Sequence, residues 1–334
     1  MRPESRCIME NAKKPLKIVV MERNTLGTDV SVDMFSEFGE VVTYPLSDAA
    51  ANASRIQDAD IIVVNKIPMN EELLVGATKL KLICLTATGT NNVDFAYTNA
   101  RGITVCNIKG YSTDSVVQHT FALLFYVYEK LAYYDRFVKS GEYARNDVFS
   151  HFTVPFHELA EKTWGIIGLG AIGSKVGEIA EQFGCRVVYY STSGAHHTDR
   201  FPEKSLPELL AESDIVSIHC PLTPATKDLI GAKELRMMKR DAILLNLGRG
   251  PIINEPALAE ALEKNIIGGA GLDVLCKEPM DPENPLGKIA DSERLIITPH
   301  IAWATVEART RCALETAENI RAFLAGEKRN VVTK

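Results

Sequence analysis

The stretch TWGIIGLGAIGSKVGEIAEQFG, residues 163–184, decides the fold of this chain. Its apolar first part is typical of a buried strand, and its second part has the apolar spacing of a helix. Between the two parts, Gly168, Gly170 and Gly173 stand in G-x-G-x-x-G spacing. Glycine at these places permits a tight turn, backbone approach to a pyrophosphate and close helix packing, and the helix N-terminus faces the phosphates. The stretch therefore predicts a strand-turn-helix unit that binds a dinucleotide.

Further strand-like runs follow this stretch, with helical patterns between them. These runs are RVVYY (186–190), DIVSIHC (214–220), AILLNL (242–247), GGAGLDV (268–274) and RLIITPH (294–300). Together with the first run they give six strands, which match a doubly wound parallel sheet. Ligands of such a sheet bind at the carboxyl ends of the strands. We therefore expect the functional residues directly after these runs.

A second series of the same kind precedes the glycine motif. Its runs are LKIVVM (16–21), EVVTY (40–44), ADIIVVN (59–65), LKLICLT (80–86) and ITVCN (103–107). A helical pattern over residues 113–139 is too apolar for a helix with one buried face, so we expect it to pack against another domain or subunit as well. Residues 140–162 break the periodicity and are interpreted as a connecting arm. A last helix over residues 305–326 is expected to pack back on the first series.

Composition limits the classes of function. With 334 residues, the chain is long enough for two domains. A net charge of −6 without a Lys/Arg run argues against nucleic acid or an anionic membrane as partner and favours a small molecule. No apolar stretch reaches the roughly 18 residues of a membrane span. Seven scattered cysteines predict reduced thiols and a cytoplasmic location, and no histidine has a companion at metal-ligand spacing, so we expect no metal.

The choice of dinucleotide depends on the segment YYSTSG, residues 189–194, which ends the second strand of the glycine-motif series. Ser191 stands where an acidic residue would bind the adenosine ribose of NAD. The serines and threonine of this segment could bind either a ribose or a 2′-phosphate, and Arg200 or His196 could approach such a phosphate. We therefore predict NAD(H) as cofactor, with NADP(H) as the alternative.

Three charged side chains follow strands of this sheet: Arg249 in NLGRG, Glu278 in DVLCKEP and His300 in TPH. The planar guanidinium of Arg binds a carboxylate, and His exchanges a proton near neutral pH. A carboxylate that is hydrogen-bonded to His holds the ring in orientation and favours its protonated form. We therefore predict that Arg249, Glu278 and His300 meet in one crevice beside the dinucleotide.

The motifs GLGAIG, NLGRGPIINE, GLDVLCKEP and TPHIAWAT, in this order, resemble those of the D-isomer-specific 2-hydroxyacid dehydrogenases. ATGTNNVD (87–94) and GYSTDSVVQHT (110–120) are similar to the substrate loop and interdomain helix of that family. The resemblance extends over nearly the whole chain from about residue 14, and it is strongest to the glycerate dehydrogenases, also called hydroxypyruvate reductases. It implies hydride transfer between a nicotinamide cofactor and a small 2-keto or 2-hydroxy acid, such as hydroxypyruvate, D-glycerate or glyoxylate.

Pattern and resemblance together predict an α/β protein of two domains. Residues 111–304 would form a doubly wound, parallel-sheet (Rossmann) NAD(P)-binding domain. Residues 16–110 and 305–334 would form a smaller, flavodoxin-like α/β substrate domain. Residues 1–15 would be a loose tail. We also expect a twofold homodimer that buries the helix beginning near Thr113.

The resemblance also implies roles for individual residues. Arg249 would bind the carboxylate and carbonyl of the substrate, Glu278 would pair with His300, and His300 would be the acid/base. Asp273 would meet the nicotinamide, while Thr88, Gly89 and Lys66 would contact the substrate. The predicted cofactor site contains these further residues: Gly168, Gly170, Ala171, Ile172, Gly173, Ser191, Cys220, Pro221, Thr226, Leu247 and Thr113.

Two alternatives of function stay open at this point. The chain could be a D-3-phosphoglycerate dehydrogenase or another D-2-hydroxyacid dehydrogenase, which differ in the keto acid that they reduce. It could also be an NAD(H)-sensing binding protein on the same fold, as the C-terminal-binding co-repressors resemble the same dehydrogenases. A turnover assay separates these two classes. The remaining histidines, among them His119 and His219, are interpreted as ordinary structural residues.

Overall fold

The computed structural model describes residues 15–289 and 293–332, so most of the predicted N-terminal tail lies outside the described residues. Eleven strands occur in these two ranges: β1 (Leu16–Val20), β2 (Gly39–Thr43), β3 (Ile61–Val64), β4 (Leu82–Leu85), β5 (Thr104–Cys106), β6 (Thr163–Ile167), β7 (Arg186–Tyr190), β8 (Ile215–Ile218), β9 (Ile243–Asn246), β10 (Gly269–Leu272) and β11 (Leu295–Ile297). Each lies within one of the predicted runs or within a residue of it. Most are shorter than predicted, because the polar residues that end each run belong to the loops.

The same ranges contain ten α-helices: α1 (Asn52–Ile56), α2 (Glu71–Leu74), α3 (Phe95–Ala100), α4 (Thr113–Tyr128), α5 (Leu131–Lys139), α6 (Ala171–Gln182), α7 (Leu206–Glu212), α8 (Ala232–Leu235), α9 (Glu255–Glu263) and α10 (Val306–Leu324). Short 3-10 helices lie at Arg23–Leu26, Asp33–Glu37, Tyr143–Arg145, Gly250–Ile252 and Pro285–Lys288. None of the helices in the described ranges is long and apolar enough to cross a membrane.

The chain divides into two compact units. The outer unit contains the described residues up to Tyr111 and those from Val306 onward, and the central unit contains Ser112–Thr305. In the outer unit all strands are parallel, in the order β2-β1-β3-β4-β5. This order is that of a flavodoxin-like sheet. Every residue of β3 and β4 is buried, as expected for inner strands covered on both faces, and α10 packs against β4.

The central unit has a six-stranded parallel sheet in the order β11-β10-β9-β8-β6-β7. Strand β6, the first of this unit, lies between β7 and β8, so the chain changes direction across the sheet at β6. The usual Rossmann order instead has its second and third strands on the same side of the first. The predicted α/β fold class is confirmed, and the carboxyl end of β6 is the topological switch point where such sheets bind ligands.

Helices cover both faces of the central sheet. Alternate residues of each strand point to opposite faces, so Ile166 belongs to the core beneath α4 and α6, while the adjacent Ile167 belongs to the core beneath α7, α8 and α9. All five residues of β6 are buried. The carboxyl end of this strand is therefore held between two helical layers, and the glycine motif begins from a rigid position.

The predicted helix over residues 113–139 is interrupted. It consists of α4 and α5, because Lys130 has a left-handed backbone with φ of 57° and ends the first helical path. The large apolar residues of α4, among them Phe121 and Leu124, pack within the central unit around Trp164. Burial inside the central unit thus accounts for the many large apolar residues of α4. The following segment, up to residue 162, contains only one short 3-10 helix among its residues.

Candidate active site

The glycine motif forms a turn that a larger residue would obstruct. Gly168 has φ of 95°, and a Cβ there would lie 2.6 Å from the backbone nitrogen of Cys220. A Cβ at Gly173 would lie 2.3 Å from the carbonyl oxygen of Gly168, so this glycine permits the helix to approach the turn. A Cβ at Gly170 would meet nothing within 4 Å. Gly170 therefore leaves open space directly at the N-terminus of α6.

Helix α6 begins at this open position without a side-chain cap. Gly170 is the N-cap residue, and Ala171 and Ile172 form the first turn, with Ile172 packing partly on the core. The N–H groups of a first helical turn have no partner within the helix, and the helix dipole favours an anion there. The glycine turn and the first turn of α6, residues 168–173, form a cradle that fits the pyrophosphate of a dinucleotide. The residues that would hold the pyrophosphate are those predicted from the sequence.

The loop after β7 forms a tight polar turn. The Ser191 hydroxyl accepts a hydrogen bond from the backbone N–H of Gly194 at 3.1 Å. His197 bonds Glu203 at 2.9 Å and the carbonyl of Gly194 at 2.7 Å, and the Glu203 carboxylate raises the pKa of His197. The turn thus presents neutral serine and threonine side chains near the switch point.

Arg200 does not extend into this turn as the sequence had allowed. Its guanidinium bonds Glu181 of helix α6 at 2.7 Å and lies 3.4 Å from Glu178. Both acidic partners lie on helix α6, so the guanidinium is held against that helix. An approach of Arg200 to a 2′-phosphate therefore requires that these two ion pairs break, and it stays a prediction.

The segment after β8 closes on the same turn. Cys220 is buried against Gly168, and burial raises the pKa of its thiol to about 11. The Thr226 hydroxyl donates to the carbonyl of Pro221 at 2.8 Å and accepts from the Thr223 N–H at 2.7 Å. These bonds fix Pro221 and Thr226 in one ordered loop, which directly follows the buried Cys220 at the carboxyl edge of the sheet.

Arg249 follows β9 in a turn that Asn246 clamps from both sides. The buried Asn246 amide donates to the carbonyl of Arg249 at 3.0 Å, and its oxygen accepts the N–H of Gly248 at 3.0 Å. The guanidinium of Arg249 is half-buried and donates to the carbonyl of Gly248 at 2.8 Å. Leu247, also predicted at the cofactor site, is buried and donates its N–H to Ile218. The clamp fixes the base of the arginine side chain.

The segment that carries Glu278 packs directly on this turn. A Cβ at Gly250 would lie 1.9 Å from the carbonyl carbon of Leu275, so only glycine permits this contact. The buried carboxylate of Glu255 accepts the N–H of Cys276 at 2.5 Å and the side-chain amide of Asn284 at 2.8 Å. The segments that carry Arg249 and Glu278 are therefore locked together.

Glu278 and His300 form a hydrogen-bonded pair. His300 Nδ1 lies 2.7 Å from Glu278 Oε2, and the other oxygen of Glu278 accepts the N–H of Leu275 at 3.0 Å. Since Nδ1 is engaged by the carboxylate, Nε2 is the ring nitrogen that can exchange a proton with a ligand. The backbone of His300 has φ of 55°, a conformation that is uncommon for a residue with a side chain and clusters at functional sites.

Asp273 holds the segment that carries His300. Its carboxylate is 2% exposed and accepts hydrogen bonds from the Thr298 hydroxyl at 2.6 Å and from the N–H groups of Ile301 and Ala302 at 2.9 Å each. Its carbonyl oxygen accepts the N–H of His300 at 2.8 Å. The side chain thus faces its own chain, and a contact with nicotinamide, which the resemblance implies, stays a prediction.

The remaining predicted residues are distributed over both units. Thr113 is the first residue of α4 in the central unit and is half-buried. Lys66 and Thr88 follow β3 and β4 of the outer unit and are exposed. The N–H of Lys66 donates to the buried Glu22 carboxylate at 2.8 Å, and the Thr88 hydroxyl donates to Ile108 at 2.7 Å. Gly89, beside Thr88, is half-buried.

Sequence reasoning missed the residues that support the site. Asn246 and Thr298 bond the predicted residues Arg249 and Asp273, and His119 lies 3.6 Å from Asp273. Glu255 binds the segment that carries Glu278. None of these four residues received a role from the sequence. For Asn246 and Glu255 a signal existed, because both lie inside NLGRGPIINE. Thr298 and His119 are 179 residues apart, and only the folded structure brings them together.

A dinucleotide cradle and a carboxylate-bound histidine at one sheet edge define a nicotinamide-dependent oxidoreductase. The sequence model described as "D-isomer specific 2-hydroxyacid dehydrogenase, NAD binding domain" matches residues 121–302. The chain belongs to the family of D-isomer specific 2-hydroxyacid dehydrogenases. The family predicted from the sequence is thereby confirmed.

Individual relatives agree with this assignment. The chain is 39% identical to the glycerate dehydrogenase of Methylorubrum extorquens, over 95% of this chain and 98% of the relative. It is similar to the D-lactate dehydrogenase of Aquifex aeolicus, solved with NAD and lactic acid, at 27% identity and a TM-score of 0.83, covering 95% and 99% of the two chains.

A third relative was solved with the other nicotinamide dinucleotide. It is the NADPH-dependent glyoxylate/hydroxypyruvate reductase of Sinorhizobium meliloti, in complex with NADP and malonate. The identity is 25% and the TM-score 0.80, with 96% and 97% of the two chains covered. The prediction of a nicotinamide dinucleotide as cofactor is confirmed, and the preference between its two forms stays a prediction.

Proposed function

We propose that this protein reduces small 2-keto acids, hydroxypyruvate above all and also glyoxylate, to the corresponding D-2-hydroxy acids. The observation that carries the proposal is the 2.7 Å bond between His300 and Glu278, at the edge of the sheet where Arg249 and the glycine cradle also lie. The relatives called glycerate dehydrogenase and glyoxylate/hydroxypyruvate reductase support this choice of substrate.

The residues of the central unit have separate tasks in this reaction. A reduced nicotinamide dinucleotide held at the glycine cradle would supply the hydride for the keto carbon. His300 donates the Nε2 proton to the carbonyl oxygen, which becomes the hydroxyl group of the product. Glu278 keeps the imidazole in orientation, and the Arg249 guanidinium binds the carboxylate and stabilises negative charge on the oxygen. In the reverse direction His300 accepts the hydroxyl proton.

We propose the cofactor contacts on the geometry of the cradle. The N-terminus of α6 would hold the pyrophosphate, and the turn at Ser191 would face the adenosine ribose. In the outer unit, Lys66, Thr88 and Gly89 are proposed as substrate-binding residues on the resemblance alone. For Lys66 the proposal predicts that Lys66→Met raises the KM for the keto acid, and an unchanged KM would remove Lys66 from the site.

Initial rates with a panel of keto acids test the proposed function. The panel contains hydroxypyruvate, glyoxylate, pyruvate, a longer keto acid and 3-phosphohydroxypyruvate, each with NADH and with NADPH. We expect the highest kcat/KM for hydroxypyruvate, with glyoxylate also reduced. A preference for 3-phosphohydroxypyruvate would assign the chain to phosphoglycerate dehydrogenase instead. Tight NADH binding without turnover of any keto acid would favour the binding-protein alternative.

The proposal includes a homodimer in the cytoplasm. The arm patch, defined as Val148, Phe149, Phe152 and Phe156, exposes four large apolar side chains within one short segment, and Phe149 is 89% exposed. Contiguous exposed apolar residues mark contact surfaces, and twofold dimers are the commonest oligomers. We therefore propose that the dimer contact includes this patch. Burial of the helix that begins near Thr113 in the same dimer stays a prediction. The cytoplasmic location rests on the scattered cysteines of the sequence.

The arm patch is supported by an ordered base. His151 stacks on Phe137 of α5 with ring centroids 3.8 Å apart, and its Nε2 bonds the Tyr133 hydroxyl at 2.6 Å. The Tyr134 hydroxyl donates to the carbonyl of Val154 at 2.5 Å. Helix α5 therefore holds the arm in a defined path, which preorganises the patch for a partner.

A further inference from the structure

A histidine without a role in the reaction lies within hydrogen-bond distance of the machinery described above. His119 belongs to helix α4, and its Nε2 lies 3.0 Å from the Thr298 hydroxyl and 3.6 Å from Asp273 Oδ1. Its side chain is 20% exposed. All three residues belong to the central unit, where Thr298 follows β11 and Asp273 follows β10.

The donors and acceptors in this contact can be assigned. The Asp273 carboxylate accepts three hydrogen bonds, from the Thr298 hydroxyl and from two backbone N–H groups, so it acts as the acceptor in this contact. The Thr298 hydroxyl must then direct its proton to Asp273, at 2.6 Å, and its oxygen accepts from His119. His119 therefore carries a proton on Nε2. Burial of the ring lowers the pKa of His119 and so favours the neutral form. The charge of Asp273 acts in the opposite direction but is the smaller effect.

The bonds from His119 and Thr298 converge on the Asp273 carboxylate, which also binds the segment that follows His300. His119 donates to Thr298, Thr298 donates to Asp273, and the Asp273 carboxylate holds the peptide groups of Ile301 and Ala302, which follow His300 directly. Donation from His119 polarises the Thr298 hydroxyl and strengthens its bond to Asp273, which fixes the orientation of the carboxylate. Removal of the first donor leaves the Thr298 oxygen without that donor and weakens the hold on the segment.

We propose that His119 is a positioning residue, which acts through Thr298 and Asp273 to keep His300 in the orientation required for proton transfer. This inference rests on the proposed function for its effect on turnover, but its effect on the His300 segment is independent of any substrate. An imidazole that only filled space in the core would stabilise the unit without altering that segment specifically. The two roles therefore differ in what they predict for the N–H groups of Ile301 and Ala302.

Two substitutions of His119 separate these roles. His119→Leu keeps the volume but removes the donor, while His119→Gln can direct an amide N–H to nearly the same place. Gln118→Ala changes an exposed neighbour on the same helix and is the control. For each variant we would measure amide hydrogen exchange of the segment 298–305, kcat for hydroxypyruvate reduction, the Kd for NADH and Tm.

We expect His119→Leu to speed exchange at Ile301 and Ala302 by at least about threefold, as loss of one hydrogen bond implies. Its kcat should fall by about tenfold or more, because small displacements of a catalytic group are costly. His119→Gln should recover most of both quantities, and Gln118→Ala should match the wild type. If His119→Leu proves unable to fold, Thr298→Val removes the same relay without altering α4, and the same exchange result is expected.

The proposal is overturned if exchange and kcat of His119→Leu stay within twofold of the wild type, or if only Tm falls. It is also overturned if His119→Gln is as impaired as His119→Leu, because the donor is then not the cause. If the wild type reduces no keto acid of the panel, the proposed function fails. In that case the exchange rates alone decide whether His119 holds the His300 segment.

Discussion

His300 has a backbone conformation that few residues with a side chain adopt, and the neighbouring bonds explain how it is maintained. A positive φ costs free energy for such residues. The carbonyl of Asp273 accepts the N–H of His300, and its carboxylate binds the next two peptide N–H groups. Hydrogen bonds to a buried carboxylate are among the stronger ones. The fold therefore orients His300, the proposed proton donor, through these bonds.

Arg249 leads to a prediction about substrate binding. Arg249→Lys keeps the positive charge but loses the planar fork that binds a carboxylate through two N–H groups. We expect the KM for the keto acid to rise strongly and kcat to fall as well, measured by steady-state kinetics. Arg240→Lys, at an exposed position, should change neither value. An unchanged KM in Arg249→Lys would place the carboxylate site elsewhere.

Ser191 leads to a prediction about cofactor choice. The turn that contains Ser191 is neutral, so it neither repels a 2′-phosphate nor offers a carboxylate to the ribose. The guanidinium of Arg200 is paired with acidic residues of α6. We expect the wild type to use both cofactors, with NADH favoured by less than about a hundredfold. Ser191→Asp should increase this preference by on the order of 1–3 kcal/mol, through repulsion of the phosphate.

The control for this change is Ser193→Asp, two residues further along the exposed turn, where a smaller effect is expected. The measurement is the ratio of kcat/KM for NADH and NADPH in each protein. Complete exclusion of NADPH by the wild type, or an unchanged ratio in Ser191→Asp, would show that Ser191 does not face the ribose.

At the scale of single elements, the end of β8 contains a buried base. Both ring nitrogens of His219 are buried and have no hydrogen-bond partner among the described residues, and burial lowers its pKa from 6.5 to about 3. The unfolded chain therefore binds a proton that the folded chain does not bind over this interval. The contribution of neutral His219 to the free energy of unfolding is complete above about pH 6.5 and is lost progressively as the pH falls toward 3.

The loss of this contribution at low pH gives a prediction for the stability of the protein in acid. Between about pH 5.5 and pH 4.5, His219 should add a slope of about 1.4 kcal/mol per pH unit to the free energy of unfolding. His219→Gln should lack this part of the slope, as measured by urea unfolding at a series of pH values without cofactor. Identical slopes in the two proteins would show that His219 is protonated equally in the folded and unfolded states.

The elements themselves were largely predictable from the sequence. Each strand is a short apolar run, and parallel strands buried on both faces have this composition. The break at Lys130 was not predictable in this way, because α4 and α5 together preserve a nearly continuous helical pattern. The apolar character of α4 also suggested a partner outside the unit, although packing around Trp164 accounts for it.

The candidate site was predictable where a strand end and a motif coincide. Four predicted residues each follow a strand of one parallel sheet, so all of them lie at the carboxyl edge of that sheet: Gly168, Arg249, Glu278 and His300. The supporting bonds could not be predicted, because the approach of His119 to Thr298 depends on how α4 packs across β11. Likewise, the burial of the Asp273 carboxylate depends on the path of the chain after His300.

For the molecule as a whole, the arm patch predicts a dimer. We expect the wild type to sediment as a dimer at micromolar concentration, since a second copy would cover the exposed phenylalanines. The double change Phe149→Ser and Phe152→Ser should give a folded monomer, because both side chains are largely exposed, at 89% and 83%. Leu46→Ser, at an exposed apolar residue of the outer unit, is the control and should leave the dimer intact. A monomeric wild type would contradict this part of the proposal.

The central claim is that His300, held by Glu278, supplies the proton in the reduction of a 2-keto acid. The most direct test is kcat for hydroxypyruvate reduction with NADH, compared between the wild type and His300→Gln at equal folded fraction. We expect kcat to fall by at least about a hundredfold, the usual contribution of a general acid, while the Kd for NADH stays nearly unchanged. If His300→Gln turns over at a rate close to that of the wild type, His300 is not the proton donor and the account is contradicted.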